Sequence, residues 1–121
     1  MAEPKLNDPQ EVLNALRSVK GVHGAAIIEK FGLVRDSALP GWIDADSIAA
    51  MVTLIQKASE RATKELSQGQ FLRAIIESEK GKLIFSEVVG KIVVIVATED
   101  VKLGIINLKL DAARDALKKM G

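Results

Sequence analysis

Apolar residues recur at helical spacing in three parts of the chain. The first helix is predicted to follow Asp8-Pro9, an N-cap residue with proline at the first helical position. The second is predicted to begin after Asp44 and to end before Gly69 as its C′ residue, and the third is predicted to follow Asp100 as its cap. The predicted buried stripe of the second helix comprises Ile48, Met51, Val52, Ile55, Ser59, Ala62 and Leu66.

Five shorter segments are typical of strands, at residues 22–29, 33–37, 71–78, 82–89 and 92–98, with glycines at the turns between them. The segment from Ile92 to Ala97 is apolar on both faces, which favours a central strand covered by helices on both sides. The predicted fold class is therefore α+β, a three-layer sandwich in the order helix-strand-strand-helix-strand-strand-strand-helix. We expect a five-stranded antiparallel sheet in a single domain over residues 1–121, with its core at about 9–120.

Composition restricts the classes of function. The chain is 48% hydrophobic and 27% charged, and its 17 Lys and Arg residues nearly balance its 16 Asp and Glu residues, so no excess of charge favours nucleic acid as a partner. It has no cysteine, and its longest aliphatic run, 92–97, is far shorter than the roughly 20 residues that span a bilayer. These features predict a soluble, cytoplasmic protein without direct membrane insertion.

Residues suited to catalysis are few. His23 is the only histidine, and tyrosine and cysteine are absent, so we expect no enzyme activity and no catalytic, cofactor-binding or metal-binding residues. Asp44 and Asp46 are a possible metal pair, but helix capping and a favourable first-turn charge explain them more simply. Trp42 has two interpretations: a binding anchor, or a loop residue folded over the end of the second helix.

The second helix carries more apolar residues than one face of a sheet can cover. Ala50, Leu54 and Ala58 fall beside the predicted buried stripe, where two small residues around a leucine would let another helix approach closely. Lys57 and Arg61 flank them as a polar rim. The alternative is a helix buried in a larger groove of its own chain; in so short a chain, self-association is the preferred interpretation.

The third strand gives a related prediction. Leu72 is expected to face the core, whereas Phe71, Arg73 and Ile75 are expected on the other face. If this strand is a sheet edge, its partly apolar surface favours pairing with a second copy. The predicted interface residues are Ala50, Leu54, Lys57, Ala58, Arg61, Phe71, Arg73 and Ile75.

Four short segments, in this order, resemble the roadblock/dynein light chain family. They are Gly21-Val22-x-Gly24-Ala25-Ala26, Phe31-Gly32-Leu33, Ile48-Ala49-Ala50 and Leu103-Gly104-Ile105-Ile106. The resemblance extends from about Gln10 to Met120. It implies a sheet with the first and third helices on one face and the second on the other, and a dimer joined through the second helix and third strand.

The same resemblance implies a function. Bacterial and archaeal MglB-like members of the family act on Ras-like small GTPases by ordering the GTPase's own catalytic residues, so no catalytic residue carries over. We therefore expect a non-catalytic, homodimeric scaffold or regulator of a Ras-like GTPase, without a cofactor. The alternatives are a structural adaptor in a motor or signalling complex without GTPase regulation, and a small-molecule-sensing domain.

Overall fold

The computed structural model describes residues 6–120, which form three helices and five strands. The elements are α1 (Pro9–Arg17), β1 (Val22–Glu29), β2 (Val34–Ala38), α2 (Ala45–Glu65), β3 (Arg73–Ser78), β4 (Gly81–Val88), β5 (Lys91–Ala97) and α3 (Leu103–Met120). The predicted fold class and order of elements are confirmed.

The five strands form one antiparallel sheet in the order β2-β1-β5-β4-β3. β5 is central because its side chains are buried on both faces. Val93 and Ile95 pack with α1 and α3, whereas Ile92 and Val94 pack with α2. This arrangement confirms the three-layer sandwich and leaves β2 and β3 as the two edges of the sheet.

The helix beginnings follow from local chemistry. Asp8 accepts a hydrogen bond from the backbone N–H of Glu11 at 2.9 Å, and Asp44 accepts one from that of Asp46 at 3.1 Å, so both predicted N-caps are confirmed. The prediction that Asp100 caps α3 is wrong. Its carboxylate instead accepts a hydrogen bond from the Thr98 hydroxyl at 2.6 Å, which lowers the pKa of Asp100, and α3 begins at Leu103.

The end of α2 also differs from the prediction. The left-handed residue that terminates the helix is Ser67, with φ of 54°, and not Gly69. The N–H of Ser67 donates to the carbonyl of Lys64, and the N–H of Gln68 donates to that of Thr63. These two bonds form a Schellman motif, which satisfies the last carbonyls two residues earlier than glycine alone would suggest.

A strained turn joins β4 to β5. Val88 pairs with Lys91, so Val89 and Gly90 form a two-residue loop, and both have positive φ, of 49° and 76°. That geometry is a type I′ turn, in which asparagine or glycine is favoured at the first position and a β-branched residue is an outlier. The turn therefore holds Val89 in an unfavourable backbone conformation.

Candidate protein-binding surface

The buried face of α2 is rotated by roughly 100° from the predicted stripe, at about 100° per residue. The fully buried residues are Ala49, Val52, Thr53 and Gln56. The predicted burial of Met51, Ala62 and Leu66 is wrong, because all three are exposed. The fully buried face of α2 therefore includes polar residues, while larger apolar residues such as Met51 and Leu66 are exposed.

The rotation leaves an apolar surface along α2, which we call the α2 strip and which comprises Met51, Leu54, Ala58, Ala62 and Leu66. Leu54 is 69% exposed and Leu66 is 66% exposed. No groove of the described chain covers the helix, so the alternative of a helix buried within its own chain is wrong. Contiguous exposed apolar surface commonly marks a site of protein association.

The other predicted α2 residues border this strip. Ala50, Lys57 and Arg61 are all exposed. Arg61 is paired with Glu65 one turn along, at 3.0 Å. A charged margin beside an apolar surface is the arrangement typical of protein interfaces.

The three interface residues predicted around β3 have different environments in the structure. Phe71 precedes the strand and is only 9% exposed, with its ring 6.5 Å from that of Phe85, so its predicted position on the exposed face is wrong. The chain before the strand folds over the α2 side of the sheet, and it exposes Leu72, predicted to be buried. Arg73 is partly buried beside α3, where it donates to Asn107, and Ile75 is 38% exposed.

β3 is one of the two edges of the sheet, and it shares a packing cluster with α2. Ala74 and Ile76 of this strand pack in the same cluster as Ile48 and Ile55 of α2, which border the strip. On its outer side, β3 has no partner strand among residues 6–120. An unpaired edge presents backbone N–H and C=O groups that can extend the sheet into another chain.

A network of polar side chains joins the β1–β2 turn to α2 and β4. The Lys30 ammonium lies 2.9 Å from one carboxylate oxygen of Glu87 and 3.9 Å from Glu60. The buried Gln56 amide nitrogen donates to both carboxylates, at 3.0 Å to Glu60 and 3.3 Å to Glu87. The hydrogen bond to Glu87 raises the pKa of Lys30 above its usual value of 10.5. These hydrogen bonds satisfy the amide nitrogen of Gln56 in the buried face of α2.

Trp42 and Asp44, which the sequence offered as a binding anchor and a metal ligand, make contacts within the chain itself. Trp42 is 70% exposed and meets the His23 ring edge-on, with 5.4 Å between centroids, so the prediction that it folds over α2 is wrong. Both carboxylate oxygens of Asp44 serve the helix cap, since the hydroxyl of Ser47 also donates to one of them. Within residues 6–120, no three His, Cys, Asp or Glu side chains are grouped to hold a metal ion.

Two residues at the β1–β2 turn have an exposure that the sequence pattern did not lead us to predict. Phe31 is 69% exposed and Leu33 is 62% exposed. Their signal was present in the sequence, as two large apolar residues on either side of a turn glycine. On the opposite layer, Leu108 of α3 is 71% exposed.

Known protein sequences match most of this chain. The sequence model of the Roadblock/LC7 domain matches residues 9–105, from α1 to the start of α3. This chain belongs to the Roadblock/LC7 family. Two uncharacterized proteins of Methanocaldococcus jannaschii, MJ0310 and MJ1340, are 34% and 33% identical to it over 109 residues, which cover 90% of this chain and 96% of each relative.

Solved Roadblock/LC7 structures have the same fold. Myxococcus xanthus MglB aligns with a TM-score of 0.87 at 22% identity, covering 99% of this chain and 92% of that one. A Roadblock/LC7 domain from Streptomyces avermitilis aligns with a TM-score of 0.86 at 16% identity, covering 93% and 97%. The gliding protein MglB of Thermus thermophilus aligns at 0.80 with 24% identity, covering 98% and 96%. The predicted family resemblance is confirmed.

The helices of this Roadblock/LC7 protein differ from membrane-spanning helices. None of those within residues 6–120 is both long and apolar enough to cross a membrane.

Proposed function

We propose that this Roadblock/LC7 protein is a non-catalytic homodimer that binds a Ras-like small GTPase as a scaffold or regulator. The observation that carries the proposal is the α2 strip beside the unpaired edge of β3. We infer that these two surfaces adjoin, because residues of α2 and β3 share one packing cluster, and each is suited to a second copy of the same chain.

The α2 strip is suited to close helix packing. Ala58 and Ala62 are small, so the backbone of a facing helix can approach there, while Leu54 and Met51 fill the space on either side. A two-fold axis would place each residue opposite the same surface of the mate. This pairing would bury the apolar residues that the single chain leaves in water.

The β3 edge supports the same dimer from the sheet side. Antiparallel pairing of β3 with its mate would join two five-stranded sheets into one and would satisfy the free backbone groups of both edges. Ile75, which is 38% exposed, would lose part of its remaining contact with water. Phe71 has a different role in this arrangement, since it supports the edge from within the core.

The GTPase partner is supported by family membership and by the character of the surface. Lys57 and Arg61 give the α2 surface a charged margin, and pairing of two protomers would present two such margins side by side. Self-association occurs among relatives, since one solved MglB structure has a tetrameric arrangement.

A binding experiment tests the proposal. The purified protein is immobilised and exposed to Ras-like GTPases of the source organism, each loaded with GDP or with a non-hydrolysable GTP analogue. We expect retention of one GTPase, with different affinities for its two nucleotide states. Leu54→Glu should abolish retention by separating the protomers, whereas Leu108→Glu, a matched change at a 71% exposed leucine on the opposite face, should not. Failure of every GTPase to bind in either state would refute the regulatory role.

A further inference from the structure

The aromatic residues of this chain divide into two pairs. Phe71 and Phe85 are buried together on the α2 side of the sheet, as core residues ordinarily are. Phe31 and Trp42 are 69% and 70% exposed. Phe31 is accompanied by Leu33, 62% exposed and two residues away, so the β1–β2 turn places two large apolar side chains in water. We call Phe31 and Leu33 the turn anchor.

The backbone that carries the turn anchor is fixed on both sides. The N–H of Gly32 donates to the carbonyl of Glu29 at 2.9 Å, and the N–H of Glu29 donates to the carbonyl of Leu33 at 2.9 Å. Gly32 has φ of 99°, and a side chain there would begin 3.6 Å from the hydroxyl of Thr53, so the turn lies against α2. Lys30, the residue before Phe31, is held by its ion pair with Glu87 at 2.9 Å. Apolar side chains on a preorganised turn lose little conformational entropy when they bind a partner.

The proposed dimer leaves the turn anchor uncovered. The turn joins β1 to β2, and β2 is the edge of the sheet farthest from β3. Pairing through β3 and the α2 strip would therefore place one turn anchor on the outer flank of each protomer. A second copy on the dimer seam does not cover these exposed side chains, which leaves them available to a different partner.

The charges on this flank indicate the chemistry of that partner. Lys64 lines an open cleft of about 490 Å³ with Lys30 and Glu60, beside the polar network that holds the turn. Lys57 and Lys64 are exposed and form no ion pair with any residue between positions 6 and 120. The flank therefore combines two apolar side chains with two unpaired cations. It is complementary to a protein surface in which an apolar patch is bordered by carboxylates.

We propose that Phe31 and Leu33 form an apolar anchor for the Ras-like GTPase, with Lys57 and Lys64 facing its acidic residues. This inference rests on the proposed function and adds to it a second contact region, outside the dimer seam. Aromatic side chains in the centre of an interface commonly account for a large share of its binding free energy. The turn anchor thus adds to partner affinity without contributing to dimerisation.

The test compares wild-type protein, the double variant Phe31→Ser/Leu33→Ser and the control Leu108→Ser by biolayer interferometry. The probe is each Ras-like GTPase of the source organism, loaded with a GTP analogue, and light scattering gives the mass of every variant. We expect the double variant to keep the wild-type mass and to bind roughly tenfold or more weakly, with Leu108→Ser unchanged. Lys57→Glu/Lys64→Glu should also weaken binding and reduce its dependence on salt.

The possible contrary outcomes overturn different claims. Unchanged affinity of the double variant would overturn the turn anchor and leave the proposed function intact. A double variant with the mass of a single chain would overturn the claim that the anchor lies outside the seam. If the wild-type protein binds no GTPase, the proposed function fails, and the anchor as a GTPase contact fails with it.

Discussion

Replacing Leu54 by alanine gives a quantitative test of the α2 strip. Complete burial of a leucine side chain contributes about 1.5–3 kcal/mol, and Leu54 is 69% exposed in the single chain. Burying that remaining fraction against a mate contributes about 1–2 kcal/mol per protomer, or about 2–4 kcal/mol in a two-fold dimer. At about 1.4 kcal/mol per tenfold change, Leu54→Ala should weaken dimerisation by about 30- to 700-fold.

Sedimentation velocity over a dilution series measures this change directly. The control is Leu108→Ala, because Leu108 is 71% exposed but lies on α3, on the other face of the sheet. The single chain buries little of either leucine, so neither change should reduce the stability of the protomer by more than about 0.5 kcal/mol. Equal dimer dissociation constants for the two variants would refute the assignment of the seam to α2.

Three further predictions concern the fold that supports these surfaces. Val89→Asn should raise the free energy of unfolding by about 1 kcal/mol, because asparagine tolerates positive φ at the β4–β5 turn. A thermal denaturation midpoint no higher than that of wild type would contradict the backbone strain at Val89. Gly24→Ala should lower the free energy of unfolding by about 1–3 kcal/mol, because the new Cβ would lie 2.7 Å from the carbonyl oxygen of Ala38. Wild-type stability of this variant in urea denaturation would contradict the predicted clash. Lys30→Met should remove a stabilising charge whose folded-state pKa is raised by its hydrogen bond with Glu87. The stability difference from wild type should therefore be fully present below pH 10.5 and disappear only above it, and a difference already lost by about pH 9 would exclude that role.

The sheet and its layers could be predicted because their signals are local or periodic. The double-sided apolar run of β5 required helices on both faces, and Asp8 and Asp44 marked two helix beginnings through short-range hydrogen bonds. Asp100 failed as a marker because the neighbouring Thr98 hydroxyl competes for the same carboxylate. Local signals thus predicted these two helix beginnings, but not the beginning of α3 or the end of α2 at Ser67.

The orientation of α2 could not be predicted from apolar spacing. The helix buries Thr53 and Gln56 while it exposes Leu54, so a ranking by hydrophobicity selects the wrong face. Gln56 is accommodated in the buried face by hydrogen bonds to carboxylates on two different elements, one of them 31 residues away in the sequence. A pattern read along one helix contains no information about such a partner.

The error at Phe71 has a related cause. Alternation along a strand assigns a face only within the strand, and β3 begins two residues later, at Arg73. Before that point, the chain turns Phe71 into the core and Leu72 into water. The exposed apolar surface on α2 and β3 therefore consists partly of side chains other than those that the sequence pattern selects.

We propose above that this Roadblock/LC7 protein pairs through α2 and β3 and then binds a Ras-like GTPase. The most direct test is the mass of the wild-type protein in solution, by light scattering coupled to size exclusion, alone and with each candidate GTPase in its GTP-analogue form. For a chain of 13.0 kDa, we predict about twice that mass alone, and a larger complex containing two copies of this chain when one GTPase is added. A single-chain mass that no GTPase increases would contradict the account.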